Sequence, residues 1–390
     1  MPDGPLVLDA GAILTPLEKY SPGRIVIRGD RIEAAGLISD LRMPDASTHF
    51  DFSSWTLVPG FIEPHVHGCG GFDVMDATPD SMKVISKTLA KYGTTSFLPT
   101  TVSAPLNVLS EAVERLGRLI AQDSAGAKPL GIHLEGPFLN AARRGTHQPA
   151  NVRNADPALL SNWVQRSNGW IKLLTMAPEL DAAGTTADAA RKAGLAVALG
   201  HSDATYQESV AAVDAGTRYA VHTFNAMRPL SHRDPGIVGA VLSDDRVFAE
   251  IIADGIHVAP EVVRIFARAK GPSRIILATD ATSATGMPDG EYALGNGHVQ
   301  VTGGVCRDAE GRLAGSTLTQ DRALRNLLQW TGMRLEDALL GLTCNPASVL
   351  RLEGRGHIEP GAFADVTLLD RNLEVARTYV SGKLVFAMQP

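Results

Sequence analysis

The sequence predicts an α/β fold: a (β/α)8 TIM barrel carrying a second, small β-sandwich-like domain formed by both chain ends. Eight apolar, β-branched runs recur between residues 55 and 355, and alanine-rich helical stretches separate them. That is the rhythm of a parallel sheet covered by helices. The ionisable residues of this span fall at the ends of the runs rather than along them. Short alternating strands at both termini predict the small domain.

Each element can be taken in order. Residues 1–54 open with LVLDAGAIL and then GRIVIRGDRIEAAG, where apolar residues alternate around a Gly-Asp turn as in a hairpin. From Trp55 the texture changes. The eight runs are TLVPGFIEPHVHG, TTSFLPT, PLGIHLEG, IKLLTMAPE, LAVALGHS, YAVHTFNA, VFAEIIADGIH and RIILATDAT. PDSMKVISKTLAKYG and APLNVLSEAVERLGRLIAQ are candidate helices between the earlier ones. The Gly-rich segment GMPDGEYALGNGHVQVTGGVCRDAEGRLAGS reads as a hairpin inserted over the barrel mouth before the last helices. The final stretch, GAFADVTLLDRNLEVARTYVSGKLVF, returns to short strands. Residues 356–390 are therefore expected to join 1–54 in the small domain, leaving 55–355 as the barrel.

Composition narrows the function classes. With 390 residues, 44% hydrophobic and 20% charged, the chain can bury a full-sized core. Its net charge of -6 argues against the basic surface that nucleic-acid binding needs. No apolar run approaches the ~20 residues of a membrane span, and the start MPDGPLVLDAG does not resemble a signal peptide. Neither a nucleic acid nor a membrane is an expected partner, and the expected compartment is the cytoplasm. Cys69, Cys306 and Cys344 stand in no paired spacing, so neither a disulfide framework nor a cysteine-rich zinc knuckle is indicated.

The placement of the polar residues carries the functional argument. His65 and His67 end the first run, Glu135 the third, His201 the fifth, His222 the sixth, His257 the seventh and Asp280 the eighth. In a parallel barrel all C-terminal strand ends open on one face, so these separated residues converge. Imidazole nitrogens with a carboxylate oxygen suit a divalent cation such as zinc, which acidifies water and polarises a carbonyl. Asp280 is then placed to act as acid and base. Each residue alone has a plainer explanation: a buried histidine satisfied by backbone, a carboxylate on a turn, a helix cap. Their common face is what those explanations leave out.

The segments PGFIEPHVHG, HLEGPFLNAARRGTHQP, GHSDAT, HTFNAM, RDPG, DGIHV, TDAT, LAGS and CNPA resemble the N-acetylglucosamine-6-phosphate deacetylases of the amidohydrolase superfamily along nearly the whole chain. The resemblance implies removal of an acetyl group from an N-acetylated amino sugar phosphate. It assigns Glu135, His201 and His222 to the main metal, most simply zinc. His65 and His67 match the pair that binds a second metal in some relatives, so one and two metals both stay open. Asp280 matches the catalytic acid/base and His147 of GTH a contact to the acetyl carbonyl or sugar. Asn225 and Ala226 match sugar-phosphate contacts, and His257 of DGIH a contact to a substrate hydroxyl or phosphate. Arg233 of RDPG matches a phosphate-binding arginine supplied by the neighbouring subunit of a homodimer. Glu63 stands where relatives usually carry Asp, and Cys69, two residues past His67, raises the question of a thiolate near the second metal. The alternatives are a cyclic amidase or deaminase on the same barrel, a deacetylase for another N-acetylhexosamine, and a scaffold without catalysis. The cyclic amidases' strand-four lysine has no counterpart at the mouth, because Lys172 comes too early.

Overall fold

The computed structural model describes residues 4–389. Parallel strands β1 (Phe61–Val66), β2 (Thr94–Pro99), β3 (Ile132–Glu135), β4 (Ile171–Met176), β5 (Ala196–Leu199), β6 (Tyr219–Ala220), β7 (Phe248–Ile251) and β8 (Ile275–Leu277) come in the order of the eight runs. β1 pairs with β2, and β3 through β8 pair successively, all in parallel. A parallel bridge between Thr100 and His133 joins β2 to β3, and another between Val66 and Ala281 joins the end of β8 back to β1. The pairings thus run in a ring, the closure a (β/α)8 barrel requires.

Helices α1 (Pro79–Lys91), α2 (Leu106–Ile120), α3 (Pro157–Arg166), α4 (Thr185–Lys192), α5 (Tyr206–Asp214), α6 (Gly236–Ser243), α7 (Pro260–Lys270) and α8 (Gln320–Thr331) follow the strands in turn. Local chemistry sets their starts. Thr78 caps α1 in a reciprocal box with Ser81, with Pro79 at the first helical position. Thr205 caps α5 with Glu208 in the same way. The two helices expected from sequence are α1 and α2, shorter by one to a few residues at their ends.

Both chain ends contribute to one hydrogen-bonded sheet. The strand Thr48–Pro59 is its centre, parallel to Leu6–Leu14 on one side and antiparallel to Val366–Leu369 on the other. Val375–Val380 and Lys383–Ala387 extend one edge; Gly23–Arg28 and Arg31–Leu37 extend the other. Two expectations shift here. TLVPGFIEPHVHG is two strands: Thr56–Pro59 stays in the terminal sheet, and β1 starts at Phe61. The border drawn at residue 54 therefore falls inside a strand. The break is at Gly60, whose N–H donates to Asp365 O at 2.9 Å. A Cβ there would sit 2.2 Å from the Thr95 side chain, a contact that only glycine avoids. The Gly-rich insert forms the expected antiparallel strands, Gly290–Leu294, Gly297–Thr302 and Val305–Arg307.

Between strands and helices the chain buries two large apolar clusters. On α3, Trp163 is fully buried, 6.0 Å from the Phe138 ring, with Nε1 donating to Ser110 Oγ of α2 at 2.8 Å. Inside the ring, Leu173 of β4 belongs to an apolar plug with Leu98, Ile276 and Leu350. Thr175, two residues on and so on the same face, bonds His133. The interior thus changes from apolar to polar toward the strands' C-terminal ends. Trp163→Ala removes a large side chain from a layer that cannot collapse around it, and it should cost about 3–5 kcal/mol, read as a lower urea midpoint.

Candidate metal and catalytic centre

Glu135 is the last residue of β3, and five imidazoles turn toward it. Its Oε1 lies 3.1 Å from His222 Nε2, 3.2 Å from His201 Nε2 and 3.4 Å from His65 Nε2. Its Oε2 lies 3.2 Å from His67 Nε2 and 3.5 Å from His147 Nε2. Asp280 Oδ1 approaches His67 Nε2 at 3.1 Å and His65 Nε2 at 3.6 Å. His65 is in β1 and His67 just past it. His201 and His222 lie two residues beyond β5 and β6, and Asp280 three beyond β8.

Strained backbone delivers three of these side chains. His201, His222 and Asp280 have φ of 49°, 28° and 50°, a region side-chain-bearing residues seldom occupy and functional sites hold by their surroundings. Asp280 N–H donates to His65 O at 3.1 Å, and Asp280 O accepts from Ser316 N–H at 2.8 Å. Gly315 of LAGS is needed beside it. At φ +58°, its Cβ would stand 2.7 Å from Asp280 O.

Hydrogen-bond partners decide what each ring offers. His65 Nδ1 faces Glu250 Oε1 at 2.8 Å, His67 Nδ1 faces Thr100 O at 3.2 Å and His201 Nδ1 faces Arg143 O at 3.0 Å. Those oxygens only accept, so Nδ1 carries the hydrogen and each Nε2 presents a lone pair to the centre when the ring is neutral. His147 is reversed. Ser103 N–H donates to its Nδ1 at 3.0 Å, so the neutral ring has its hydrogen on Nε2 and acts as a donor. His257 Nδ1 faces Asp254 Oδ2 at 2.7 Å, which leaves its Nε2 free for a substrate hydroxyl.

The donor set fits a divalent cation. His65 Nε2 is buried without a hydrogen-bond partner, and the Nε2 atoms of His201 and His222 meet at 3.1 Å. Lone pairs facing a carboxylate and one another repel, and a cation among them turns repulsion into coordination. Three groups of potential ligands cluster here: His65, Glu135 and His222; His65, His67 and Asp280; Glu135, His147 and His201. His147's tautomer sets it apart from the other rings.

Burial opposes charge on both carboxylates, yet the histidines hold Glu135 and Asp280 well below the usual carboxylate range. Burial keeps His201 neutral, lowering it to about 4 against the pull of Glu135. It also opposes charge on His67, but hydrogen bonds and charge from Asp280 and Glu135 prevail and push that ring up to about 9.

A cavity of about 210 Å³ opens over the centre. All the sequence-predicted site residues line it except His65, which lies beneath, and Arg233. His257 sits six residues past β7 rather than at its end, yet still reaches the cavity wall. Leu294 of the inserted hairpin is part of the wall, and the hairpin tip is fastened by Gly295 N–H to Asp73 Oδ2 at 2.8 Å. Arg233 is exposed on the loop before α6, outside this chain's cavity. Cys69 is buried against α1, its Sγ 3.6 Å from Ile85 O, with burial pushing the thiol up. It is a packed neutral thiol. Glu63 spends its carboxylate on the backbone N–H groups of His65 and Thr279, and burial pushes it up to about 8.

Sequence reading passed over the layer beneath. His133 bonds Thr175 Oγ1 at 2.7 Å and Pro64 O at 3.1 Å. Glu250 of β7 is fully buried and accepts from Tyr219 Oη at 2.7 Å. The signal was present: a charged residue inside VFAEII, and a histidine two positions before Glu135 on the same strand face.

The profile of the amidohydrolase family matches residues 56–385. An N-acetylgalactosamine-6-phosphate deacetylase from Escherichia coli O157:H7 is 40% identical over 84% of this chain and 87% of its own length. An N-acetylglucosamine-6-phosphate deacetylase from Vibrio furnissii is 38% identical over 91% of this chain and 90% of its own. The solved structure of an N-acetyl-D-glucosamine-6-phosphate deacetylase mutant from Mycobacterium smegmatis, in complex with N-acetyl-D-glucosamine-6-phosphate, shares 36% identity at a TM-score of 0.92. That match covers 98% of this chain and 100% of the other.

With His67 pushed up to about 9 by Asp280 and Glu135, and His65 raised as well, a cation entering beside them competes with protons. Apparent affinity there should fall by at least about tenfold per pH unit below about 9. Calorimetric titration in buffers of different ionisation enthalpy reads the proton release, and pH-independent binding contradicts it.

Proposed function

The chain belongs to the amidohydrolase family, and from that membership we propose that it hydrolyses the acetamide of N-acetyl-D-glucosamine 6-phosphate to D-glucosamine 6-phosphate and acetate. The single observation that carries the chemistry is the convergence of Glu135, His201 and His222, from three separate strands, within 3.2 Å of one another's donor atoms. The deacetylase relatives supply the substrate class.

Glu135, His201 and His222 would hold the main cation, which we take to be zinc, with His65 and His67 beside Asp280 as a second position. When bound, such a cation supplies Lewis acidity to a carbonyl and acidifies a water. The rest is the work of this chain. Asp280 is ionised and partly open to the cavity, so it accepts the attacking water's proton and passes it to the departing nitrogen. His147 donates from Nε2 to the acetyl oxygen as negative charge develops there. His257, Asn225 and Ala226 face the sugar.

No lysine or arginine lines the cavity among the described residues. A phosphate dianion calls for a guanidinium, which supports Arg233 reaching the site from the partner in a homodimer. We also read the ring of strands as a (β/α)8 barrel and the terminal sheet as a separate small domain, with the division at Gly60. No helix of the described residues is long and apolar enough to cross a membrane, and we place the protein in the cytoplasm. The galacto epimer is a second reading of the substrate, favoured by the 40% identity of the Escherichia coli relative.

Acetate release from the two epimeric N-acetylhexosamine 6-phosphates and from unphosphorylated N-acetylglucosamine tests the assignment. The phosphorylated gluco sugar should show the highest kcat/KM; cleavage of a cyclic imide alone would reject the substrate class. Asp280→Asn should lower kcat by about 10²–10⁴-fold and keep the cation at Glu135, His201 and His222, as measured by metal analysis. Near-normal turnover in that variant rejects the proton-transfer role.

A further inference from the structure

We propose that Glu250 is the positioning residue that makes His65 a ligand and ties the two histidine groups of the centre together. The proposal rests on reading the cluster as a cation site. Glu250 lies on β7, fully buried, and does not line the cavity. Oε1 accepts from His65 Nδ1–H at 2.8 Å and from the backbone N–H of His222 at 3.2 Å. Oε2 accepts from the Tyr219 hydroxyl at 2.7 Å. The Glu250 carbonyl accepts from Thr223 N–H at 2.8 Å.

Each contact has a consequence at the centre. The bond to His65 fixes the tautomer, so that Nε2, which has no hydrogen-bond partner of its own, presents its lone pair toward Glu135 and Asp280. An anionic carboxylate behind an imidazole also makes the far nitrogen a better ligand. The bonds to the His222 and Thr223 N–H groups pin the turn in which His222 holds φ of 28°, so one carboxylate sets both a ring and a strained backbone. Tyr219 completes its acceptor set and keeps it from rotating. Among the described residues, the one basic side chain paired with Glu250 is His65 itself. A carboxylate buried merely for packing would be costly in that position.

Wild type, Glu250→Gln and Tyr219→Phe are loaded with cobalt(II), and three things are read: retention against a chelator, the visible absorption of the bound cobalt, and the effect of Glu250→Gln in a His65→Ala background. Glu250→Gln, which keeps the shape and removes the charge, should weaken retention about 10- to 100-fold and change the spectrum. Its effect should shrink once His65 is gone, leaving only the part that passes through the His222 N–H. Tyr219→Phe should shift both readouts in the same direction by less, and it carries the test if Glu250→Gln does not fold. Wild-type retention and spectrum in Glu250→Gln, or an equal loss with and without His65, overturn the assignment. A wild type that holds no cobalt overturns the cation reading and this assignment with it. A wild type that holds cobalt beside an unperturbed Glu250→Gln overturns this assignment alone.

Discussion

One buried carboxylate organises the centre. Glu135 ends a strand with its side chain sealed from solvent and five ring nitrogens within 3.5 Å. Such a crowd of donors is unfavourable unless positive charge sits among them. Protons can supply it, as on His67, and so can a divalent cation. Three of the five rings have an acceptor on their far side, Glu250, Thr100 or Arg143, that draws off a hydrogen and leaves Nε2 facing inward.

His147 and His201 show how little separates a ring that donates toward the cavity from one that offers a lone pair. The ring of His147 stands 4.8 Å from that of His201, and both face Glu135. The difference is one backbone N–H. Ser103 donates to Nδ1 of His147, whereas His201 donates from its own Nδ1 to a carbonyl. The partner behind the ring, rather than the ring itself, decides whether the front nitrogen binds metal or stabilises an oxyanion.

Much of this was legible in the sequence because strand ends in a parallel ring share a face, so the order His65, Glu135, His201, His222 and Asp280 already implied convergence. The apolar runs and helix caps likewise marked the elements. Three things were not legible. TLVPGFIEPHVHG hides a change of sheet at Gly60, since both halves are apolar and β-branched. Glu250, His133 and Tyr219 lie within apolar runs, where a polar residue has many ordinary explanations until its neighbours are known. Arg233 lies outside this chain's cavity, and no pattern within one copy of the chain places what stands beside it in an assembly.

Gly60 joins two strands that belong to different sheets, and the first of them is sandwiched between Leu6–Leu14 and Val366–Leu369. The residues that lead directly into His65 and His67 thus rest on a partner that follows the whole ring in the chain. During synthesis the terminal sheet stays unfinished, with one edge of Thr48–Pro59 open, until Val366–Leu369 has emerged. The ring's first strand would lack a settled mount for that interval, and chaperone capture of nascent chains should concentrate on the exposed Thr48–Pro59 edge.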